Sequence, residues 1–172
     1  MPELIPVLSK KTIEEQIVGI ARRISDDYQG CELVLVGVLK GAFIFLSDLV
    51  RHLTIPVKID FIRAASYGSG MSSSGDLRLS ADTEIDVKGK DVLIVEDIAD
   101  TGLTLDSLKK HIASMGAKTV KICALIDKQE RRQTSVSIDY ACCKVEKGFL
   151  VGYGLDYAEN YRELPEVYDL KL

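Results

Sequence analysis

The chain has 172 residues, 47% of them hydrophobic, which is typical of a single domain that buries about 70% of the surface its unfolded chain exposes. This composition excludes an intrinsically disordered protein. The net charge of −4 and the pI of about 5.3 argue against a nucleic-acid-binding protein, because binding to a phosphate backbone relies on a clustered excess of Lys and Arg.

The first residues, Met-Pro-Glu-Leu-Ile-Pro, contain neither the basic region nor the apolar region of a secretory signal. The longest apolar stretches are far shorter than the ~18 residues of a membrane span. The cysteines form no Cys-x-x-Cys pair and no secretory framework; they are Cys31, Cys123, Cys142 and Cys143. We therefore expect a cytoplasmic protein without membrane contact, whose thiols are reduced and buried.

A helix is predicted to begin at Thr12, which forms a capping box with Glu15 and precedes an apolar stripe that Gly30 can close. Strands then alternate with helices: strands are predicted at 33–38, 57–62, 92–95 and 119–126, and helices at 42–53 and 104–115. Two of the strands, 33–38 and 92–95, are apolar throughout, as are central strands of parallel sheets. The alternation predicts a doubly wound α/β fold whose ligands bind beyond the carboxyl ends of the strands.

Polar residues directly follow each predicted strand. In chain order they are Lys40 and Gly41, then Arg63, Ser66 and Tyr67, then Glu96 and Asp97, and finally Asp127 and Lys128. Any one of these clusters is explained equally well as an ordinary polar loop. Because the carboxyl ends of parallel strands meet at one edge, their coincidence favours a binding site there.

The segment 91–104 joins a buried strand to a helix through a turn. It carries three carboxylates, Glu96, Asp97 and Asp100. The turn also offers Thr101, Thr104 and the unpaired backbone N–H groups of a helix start, where phosphate binds. Carboxylates repel phosphate, so we interpret them as groups that bind ribose hydroxyls, hold a divalent cation or move a proton. Asp100 could instead cap the helix, which would leave the other two acids unexplained.

A long connection, 66–90, is rich in Gly and Ser, with a short hairpin predicted near 77–87. Connections of this length within a domain are typically functional, so we interpret it as a lid that excludes water, with a tolerated insertion as the alternative. Near the end of the chain, aromatic residues recur every four positions from Phe149. Gly152 and Gly154 weaken a helix there, which favours a strand and a turn with Phe149 free to stack on a flat ring.

Taken as a whole, the chain resembles the bacterial hypoxanthine (hypoxanthine-guanine) phosphoribosyltransferases of purine salvage. The resemblance rests on Leu39-Lys40-Gly41, on Ser66-Tyr67, on residues 92–104, on Lys128, and on residues 149–157 with Arg162. It implies transfer of a phosphoribosyl group from phosphoribosyl pyrophosphate to a 6-oxopurine base, with Mg²⁺, in the cytoplasm. It also implies a type I phosphoribosyltransferase fold of the α/β class, with a mostly parallel central sheet flanked by helices.

Further implications of the resemblance concern the organisation of the chain. Residues 1–172 would form one domain, with a hood made by the N-terminus and by residues 145–172, and with a mobile loop at 66–90. A homodimer or homotetramer is expected. The predicted helix 42–53 supports that expectation, because it is apolar around most of its circumference.

The resemblance assigns the following site residues. Asp100 would exchange a proton with the purine imidazole nitrogen, and Glu96, Asp97 and Asp156 would be the metal-binding acids. The substrate-binding segment would comprise Glu96, Asp97, Ile98, Ala99, Asp100, Thr101, Gly102, Leu103 and Thr104, with the 5′-phosphate held by the last five. Lys128 would donate to the six-position oxygen, Phe149 would stack on the base and Leu150 would read its two-position. Lys40, Gly41 and Arg162 would meet pyrophosphate beside a cis Leu39–Lys40 peptide, and Ser66 and Tyr67 would close with the lid.

One segment departs from the family pattern: Glu146-Lys147-Gly148 stands where relatives often have Pro-Asp, and Leu150 replaces a common valine. The preference between hypoxanthine and guanine therefore stays open. Two alternatives also stay open, a phosphoribosyltransferase for another base, such as xanthine or a pyrimidine, and a regulator that senses phosphoribosyl pyrophosphate. Lys128 and Phe149 favour a 6-oxopurine, and the acidic pI argues against the regulator.

Overall fold

Strands that are apolar on both faces form the centre of the molecule. The computed structural model describes residues 1–66 and 77–172. The elements are β1 (Glu3–Leu8), α1 (Lys10–Asp27), β2 (Leu33–Val38), α2 (Phe43–Val50), β3 (Val57–Ser66), β4 (Leu77–Ala81), β5 (Asp91–Ala99), α3 (Leu103–Ser114), β6 (Thr119–Lys128), β7 (Tyr140–Val145), β8 (Leu150–Val151) and β9 (Val167–Lys171).

The main sheet has the strand order β4-β3-β2-β5-β6-β7. The pairs β2–β3, β2–β5, β5–β6 and β6–β7 are parallel, and only β4 joins its neighbour in the antiparallel direction. Every residue of β2 is buried, because helices cover both faces of the sheet. The predicted α/β fold with a mostly parallel central sheet is therefore confirmed.

Helices α1 and α2 lie on one face of the sheet and α3 on the other, because side chains alternate along each strand. Leu33 and Leu35 of β2 pack in the cluster that contains the buried residues of α1 and α2. Val34 and Val36 pack with α3 on the opposite face. Strand order and helix placement bring the carboxyl ends of β2, β3, β5 and β6 to one edge.

The predicted start of the first helix is wrong by three residues. Ser9 is the N-cap, with an extended backbone at φ −73° and ψ 157°, and its Oγ accepts a 3.1 Å hydrogen bond from the Thr12 backbone N–H. Thr12 therefore lies inside the first turn. The hairpin predicted near 77–87 is also wrong, because β4 pairs with the end of β3 and residues 82–90 contain no strand.

A second, smaller sheet joins the two ends of the chain in the order β1-β9-β8, and we call it the terminal sheet. The strand predicted from Phe149 is confirmed as β8. Strands β1, β9 and β7 were not predicted, because they are short and partly exposed. In β1, for example, four of the six residues are exposed. All four cysteines are free, and burial raises the pKa of Cys142 to about 12, so this thiol stays protonated at neutral pH. Among the helices of the described residues, none is long and apolar enough to cross a membrane.

Candidate active site

A cavity of about 270 Å³ opens at the carboxyl edge of the main sheet. Its walls come from the ends of β2, β3 and β5 and from the start of α3. The lining residues are Val38, Leu39, Gly41, Ala64, Glu96, Asp97, Ile98, Asp100, Thr101, Gly102, Thr104 and Leu105. Eight of these were expected site residues, so the topology brings most of the 91–104 segment and Gly41 to one place.

The turn between β5 and α3 is shaped to present backbone N–H groups. Gly102 is the N-cap of α3 and has φ +82°, a left-handed conformation that glycine adopts without strain. A β-carbon there would lie 2.5 Å from Thr134 Oγ1, which also requires glycine. Asp100 is therefore not the helix cap, and its carboxylate serves another purpose.

Arg132 holds this turn in place from the segment that follows β6. Its Nε donates to the Asp100 carbonyl at 3.0 Å, and its Nη2 donates to the Ala99 carbonyl at 3.1 Å. The same Nη2 forms a 2.5 Å ion pair with Asp127 at the end of β6. Sequence reasoning missed Arg132, because its partners in this turn are backbone carbonyls about 30 residues away, which no sequence pattern marks.

Glu96 and Asp97 form an acid pair, in which Asp97 is buried and Glu96 is half-buried. The Asp97 backbone N–H donates to Glu96 Oε1 at 3.0 Å, and the Ile98 N–H donates to Asp97 Oδ1 at 2.7 Å. Burial raises the pKa of Glu96 well above its usual value, and the neighbouring Asp97 charge adds to the effect. Burial also raises the pKa of Asp97. The loop at Gly41 approaches so closely that a β-carbon there would overlap the Asp97 carboxylate.

Asp100 lies between two cations without a hydrogen bond to either. Its Oδ1 is 3.7 Å from the Lys128 Nζ, and its Oδ2 is 3.6 Å from the Arg131 Nη1. Asp100 Oδ1 is buried and has no hydrogen-bond partner among the described residues. Lys128 is 5% exposed and also lies 3.5 Å from Glu130 Oε2. The Asp100 carboxylate can accept a hydrogen bond from a ligand, and the Lys128 ammonium can donate one. Together they suit a ligand that carries a donor and an acceptor side by side.

A second group of charges surrounds Lys40 and Arg162. The Leu39–Lys40 peptide is cis, as the resemblance implied. Arg162 is 3.1 Å from the Asp156 Oδ1, and Asp156 Oδ2 accepts from the Glu159 N–H at 2.8 Å. Glu159, which sequence reasoning missed, contacts both Lys40 and Arg162. The hydrogen bond from Lys40 is the main reason that the pKa of Glu159 is lowered.

Phe149 presents its ring at the start of β8. The side chain is 48% exposed, which is unusual for a phenylalanine. Its ring and the ring of Tyr157 meet in a T-shaped arrangement, with 5.6 Å between centroids and 89° between planes. Leu150, the next residue, is buried. One ring with an exposed surface and a fixed orientation can stack on a flat ligand.

The remaining expected residues are placed as follows. Asp156 is engaged by Arg162, and no three His, Cys, Asp or Glu side chains within 1–66 and 77–172 gather as a metal-ligand cluster. Ser66 ends β3 opposite Leu77. Tyr67 and the rest of 67–76 lie outside the described residues, so the predicted lid cannot be compared with the structure there. Fold and site together define an α/β protein with a cavity at the carboxyl edge of a parallel sheet, where proteins of this class bind their ligands.

Comparison with known proteins is specific. Residues 7–158 match the model of the phosphoribosyl transferase domain. The chain is 42% identical over 163 residues to hypoxanthine phosphoribosyltransferase of Salmonella typhimurium, covering 94% of this chain and 92% of the relative. It is 43% identical to hypoxanthine-guanine phosphoribosyltransferase of Aquifex aeolicus, with the same coverage. A solved hypoxanthine-guanine phosphoribosyltransferase of Bacillus anthracis, with HEPES in its active site, superposes with a TM-score of 0.93 at 38% identity, covering 100% of both chains.

The chain belongs to the phosphoribosyltransferase family, among the hypoxanthine and hypoxanthine-guanine phosphoribosyltransferases.

Proposed function

We propose that this protein transfers the 5-phosphoribosyl group from phosphoribosyl pyrophosphate to hypoxanthine, and also to guanine, in purine salvage. The products are the nucleotides IMP and GMP, together with pyrophosphate. One observation carries the proposal: the α3 turn, the Glu96–Asp97 acid pair and the Asp100–Lys128 pair all lie at the same edge of the sheet. A phosphate, a sugar and a base joined in one ligand would meet these three groups in that order.

The base would be held by Phe149, Lys128 and Asp100. Stacking on the exposed Phe149 ring orients the plane of the purine. The Lys128 ammonium donates to the six-position oxygen, which selects against adenine because an amino group there cannot accept that hydrogen bond. The Asp100 carboxylate exchanges a proton with the imidazole nitrogen as the bond to ribose forms.

The sugar phosphate would be held by the end of β5 and the start of α3. The backbone N–H groups of the Asp100–Thr104 turn bind the 5′-phosphate at the helix N-terminus. Glu96 and Asp97 face the ribose hydroxyls. Their negative charge stabilises the positive charge that develops on the ribose as its bond to pyrophosphate breaks.

Mg²⁺ fits the acids of this site. Glu96 and Asp97 are the residues that would hold it together with oxygen atoms of the donor, and Asp156 would contact it directly or through water. Two carboxylates beside phosphate oxygens are a typical protein share in Mg²⁺ binding. The raised pKa values of Glu96 and Asp97 reflect buried acids that a cation would stabilise in their ionised form. When bound, Mg²⁺ supplies neutralising charge to the departing pyrophosphate.

Pyrophosphate would be bound by the loop after β2 and by the C-terminal turn. Lys40 and Arg162 supply positive charge for the leaving group. Gly41 lets the loop after β2 pack directly against the Asp97 carboxylate, so this loop lies beside the acids at the end of β5. In this proposal residues 1–172 act as one domain, and the terminal sheet forms a hood beside the base.

A homodimer or homotetramer in the cytoplasm is part of the proposal. Phe43 of α2 and Ile59 and Phe61 of β3 are each at least 40% exposed. Gly37 lies between α2 and Phe61, since a β-carbon there would be 2.7 Å from Leu46 and 3.1 Å from Phe61. Large exposed apolar side chains beside one another are typical of subunit interfaces. A monomeric mass by light scattering at micromolar concentration would contradict this part.

An assay of substrate range tests the function. Hypoxanthine, guanine, xanthine and adenine are each incubated with phosphoribosyl pyrophosphate, with and without Mg²⁺, and nucleotide formation is followed. We expect IMP and GMP to form in the presence of Mg²⁺ and adenine to be rejected. If none of the four bases is converted, the proposal is overturned. If xanthine is the preferred base, the protein is a xanthine phosphoribosyltransferase instead.

A further inference from the structure

We infer that Asp169 is a positioning residue for the purine base: its carboxylate fixes the backbone of Phe149 and thereby the ring on which the base stacks. This inference rests on the proposed function, because it assumes that Phe149 contacts the base. Asp169 lies on β9, outside every motif by which the family was recognised in the sequence.

The backbone of Phe149 is held on both sides by β9. The Phe149 N–H donates to Asp169 Oδ1 at 3.0 Å, and its carbonyl accepts from the Leu170 N–H at 2.8 Å. Strand β8 begins only at the next residue, Leu150, which pairs with Asp169 in the antiparallel register. The carboxylate therefore satisfies a backbone donor just outside the β8–β9 ladder.

Gly148 and Asp169 depend on each other. A β-carbon on Gly148 would lie 2.9 Å from the Asp169 Cγ and 3.0 Å from both carboxylate oxygens. Gly148 also has φ +116°, which side-chain-bearing residues rarely adopt. Glycine at this position thus makes room for the carboxylate. At 146–148 this chain departs from the family pattern, and the glycine found there, Gly148, leaves the space that the Asp169 carboxylate fills.

The Asp169 side chain is itself held in place. Lys171 Nζ lies 2.6 Å from Asp169 Oδ2, and only 17% of the Asp169 side chain is exposed. The hydrogen bond from Lys171 is the main cause of a lowered pKa for Asp169, and the charge of Lys128 contributes. Asp169 is therefore ionised at neutral pH and accepts a charge-assisted hydrogen bond from Phe149.

The Phe149 ring thus has two supports. Asp169 fixes the backbone, and the T-shaped contact with Tyr157 restrains the ring plane. A stacking surface that is already ordered binds a ligand more tightly, because less conformational freedom is lost on binding. Loss of the hydrogen bond from Phe149 to Asp169 should therefore weaken binding of the base and leave binding of phosphoribosyl pyrophosphate unaffected.

The test compares D169A and D169N with the wild-type enzyme. We expect D169A to raise the KM for hypoxanthine on the order of 10-fold, in keeping with the loss of one charge-assisted hydrogen bond. The KM for phosphoribosyl pyrophosphate should stay within about twofold. D169N keeps an oxygen that accepts from Phe149, so it should restore most of the affinity for the base. The variant K171A removes the ion pair but leaves the acceptor, so it should raise the KM for hypoxanthine by less than D169A does; an effect as large as that of D169A would overturn the inference.

The outcomes separate the inference from the function on which it rests. Wild-type protein that converts no base overturns the proposed function and the inference with it. Active wild-type protein with an unchanged hypoxanthine KM in D169A, or with both KM values raised equally, overturns the inference alone. If D169A does not fold, G148A supplies the comparison, because its β-carbon would displace the carboxylate and should raise the hypoxanthine KM selectively. An unchanged hypoxanthine KM in a folded G148A would overturn the inference equally.

Discussion

The carboxylate of Glu159 accepts a 2.7 Å hydrogen bond from the ammonium of Lys40, 119 residues earlier in the chain. The other oxygen of the same carboxylate accepts from Arg162 at 3.1 Å. Glu159 thus bridges the two cations that we assign to pyrophosphate. The Glu159 carboxylate occupies the cations that pyrophosphate would bind, so it competes with pyrophosphate and lowers the affinity of the site for it.

Replacement of Glu159 should strengthen pyrophosphate binding. The variant E159Q keeps the size of the side chain but removes the competing charge, so product inhibition by pyrophosphate should tighten about 2- to 5-fold, the range of an exposed ion pair. The inhibition constant is measured against phosphoribosyl pyrophosphate. The matched control E163Q alters a nearby acid that, in the part of the chain the structure describes, forms an ion pair with neither Lys40 nor Arg162. A weaker inhibition in E159Q would show that Glu159 orients Lys40 and Arg162 instead of competing.

Removal of the Asp100 charge should reduce turnover without abolishing donor binding. We expect D100N to lose roughly 10²- to 10⁴-fold in kcat, the range for loss of a general acid–base, while the Kd for phosphoribosyl pyrophosphate changes little. Calorimetry gives the Kd and a nucleotide assay gives kcat. D106N, on the first turn of α3, is the matched control and should be near normal. Near-normal turnover in D100N would refute the proton role.

Discrimination between oxo and amino purines should depend on Lys128. In K128A the ratio of kcat/KM for hypoxanthine to that for adenine should fall by about 10-fold or more, because the site loses the donor that only an oxygen can accept. Lys121 lies on the same strand but at its other end, so K121A should leave the ratio unchanged. An unaltered ratio in K128A would move recognition of the six-position elsewhere.

The acid pair should make stability depend on pH in a defined direction. Burial raises the pKa of Glu96, so the folded state holds this proton more tightly than the unfolded state does. As pH rises above the usual glutamic acid pKa, the unfolded state loses its proton first, and the free energy of unfolding falls until the folded-state pKa is passed. The glutamine of E96Q does not titrate. The Tm of E96Q should therefore exceed that of the wild type, and the difference should grow from pH 5 to pH 8.

The size of this effect and its link to metal can be measured together. Each 1 kcal/mol corresponds to about 2–4 °C in Tm for a chain of this length. Mg²⁺ with phosphoribosyl pyrophosphate should raise the Tm of the wild type more than that of E96Q. Equal Tm values for the two proteins at pH 8 without ligand would show that the buried carboxyl carries no such cost.

A tryptophan at position 149 should report base stacking. The chain contains no tryptophan, so F149W adds a single fluorophore. We expect IMP to quench its emission, because a purine stacked on an indole lies in direct contact with it. F43W is a matched control, since Phe43 is 46% exposed and lies on α2 outside the cavity. Quenching of both variants alike, or of neither, would contradict stacking at Phe149.

The local hydrophobic pattern of the sequence predicted the central strands of the main sheet but missed β1 of the terminal sheet and misplaced the start of α1. Residues 33–38 and 92–95 form central strands because uninterrupted apolar sequence suits burial on both faces. Strand β1 was missed since its exposed residues give no such signal, and pairing with β9 stabilises it from the far end of the chain. The start of α1 was displaced because two neighbouring hydroxyl residues, Ser9 and Thr12, compete for the cap.

Some residues of the candidate site could likewise be predicted from the sequence and others could not. Gly41, Glu96, Asp97 and Asp100 could be predicted together, because parallel strands bring the residues at and just beyond their carboxyl ends to one edge. Arg132, Glu159 and Asp169 could not, because each acts through a partner distant in the sequence or through a backbone group.

The sequence by itself determined the alternation of strands and helices, the edge at which ligands bind and the acids at the end of β5. These are consequences of hydrophobic periodicity and strand direction, which are local properties. Tertiary structure alone decided that Glu159 faces Lys40, that Arg132 holds the Ala99 and Asp100 carbonyls, and that Asp169 supports Phe149. Such pairings depend on how separate segments pack in three dimensions, because a hydrogen bond is directional and short, and no spacing along the chain encodes it.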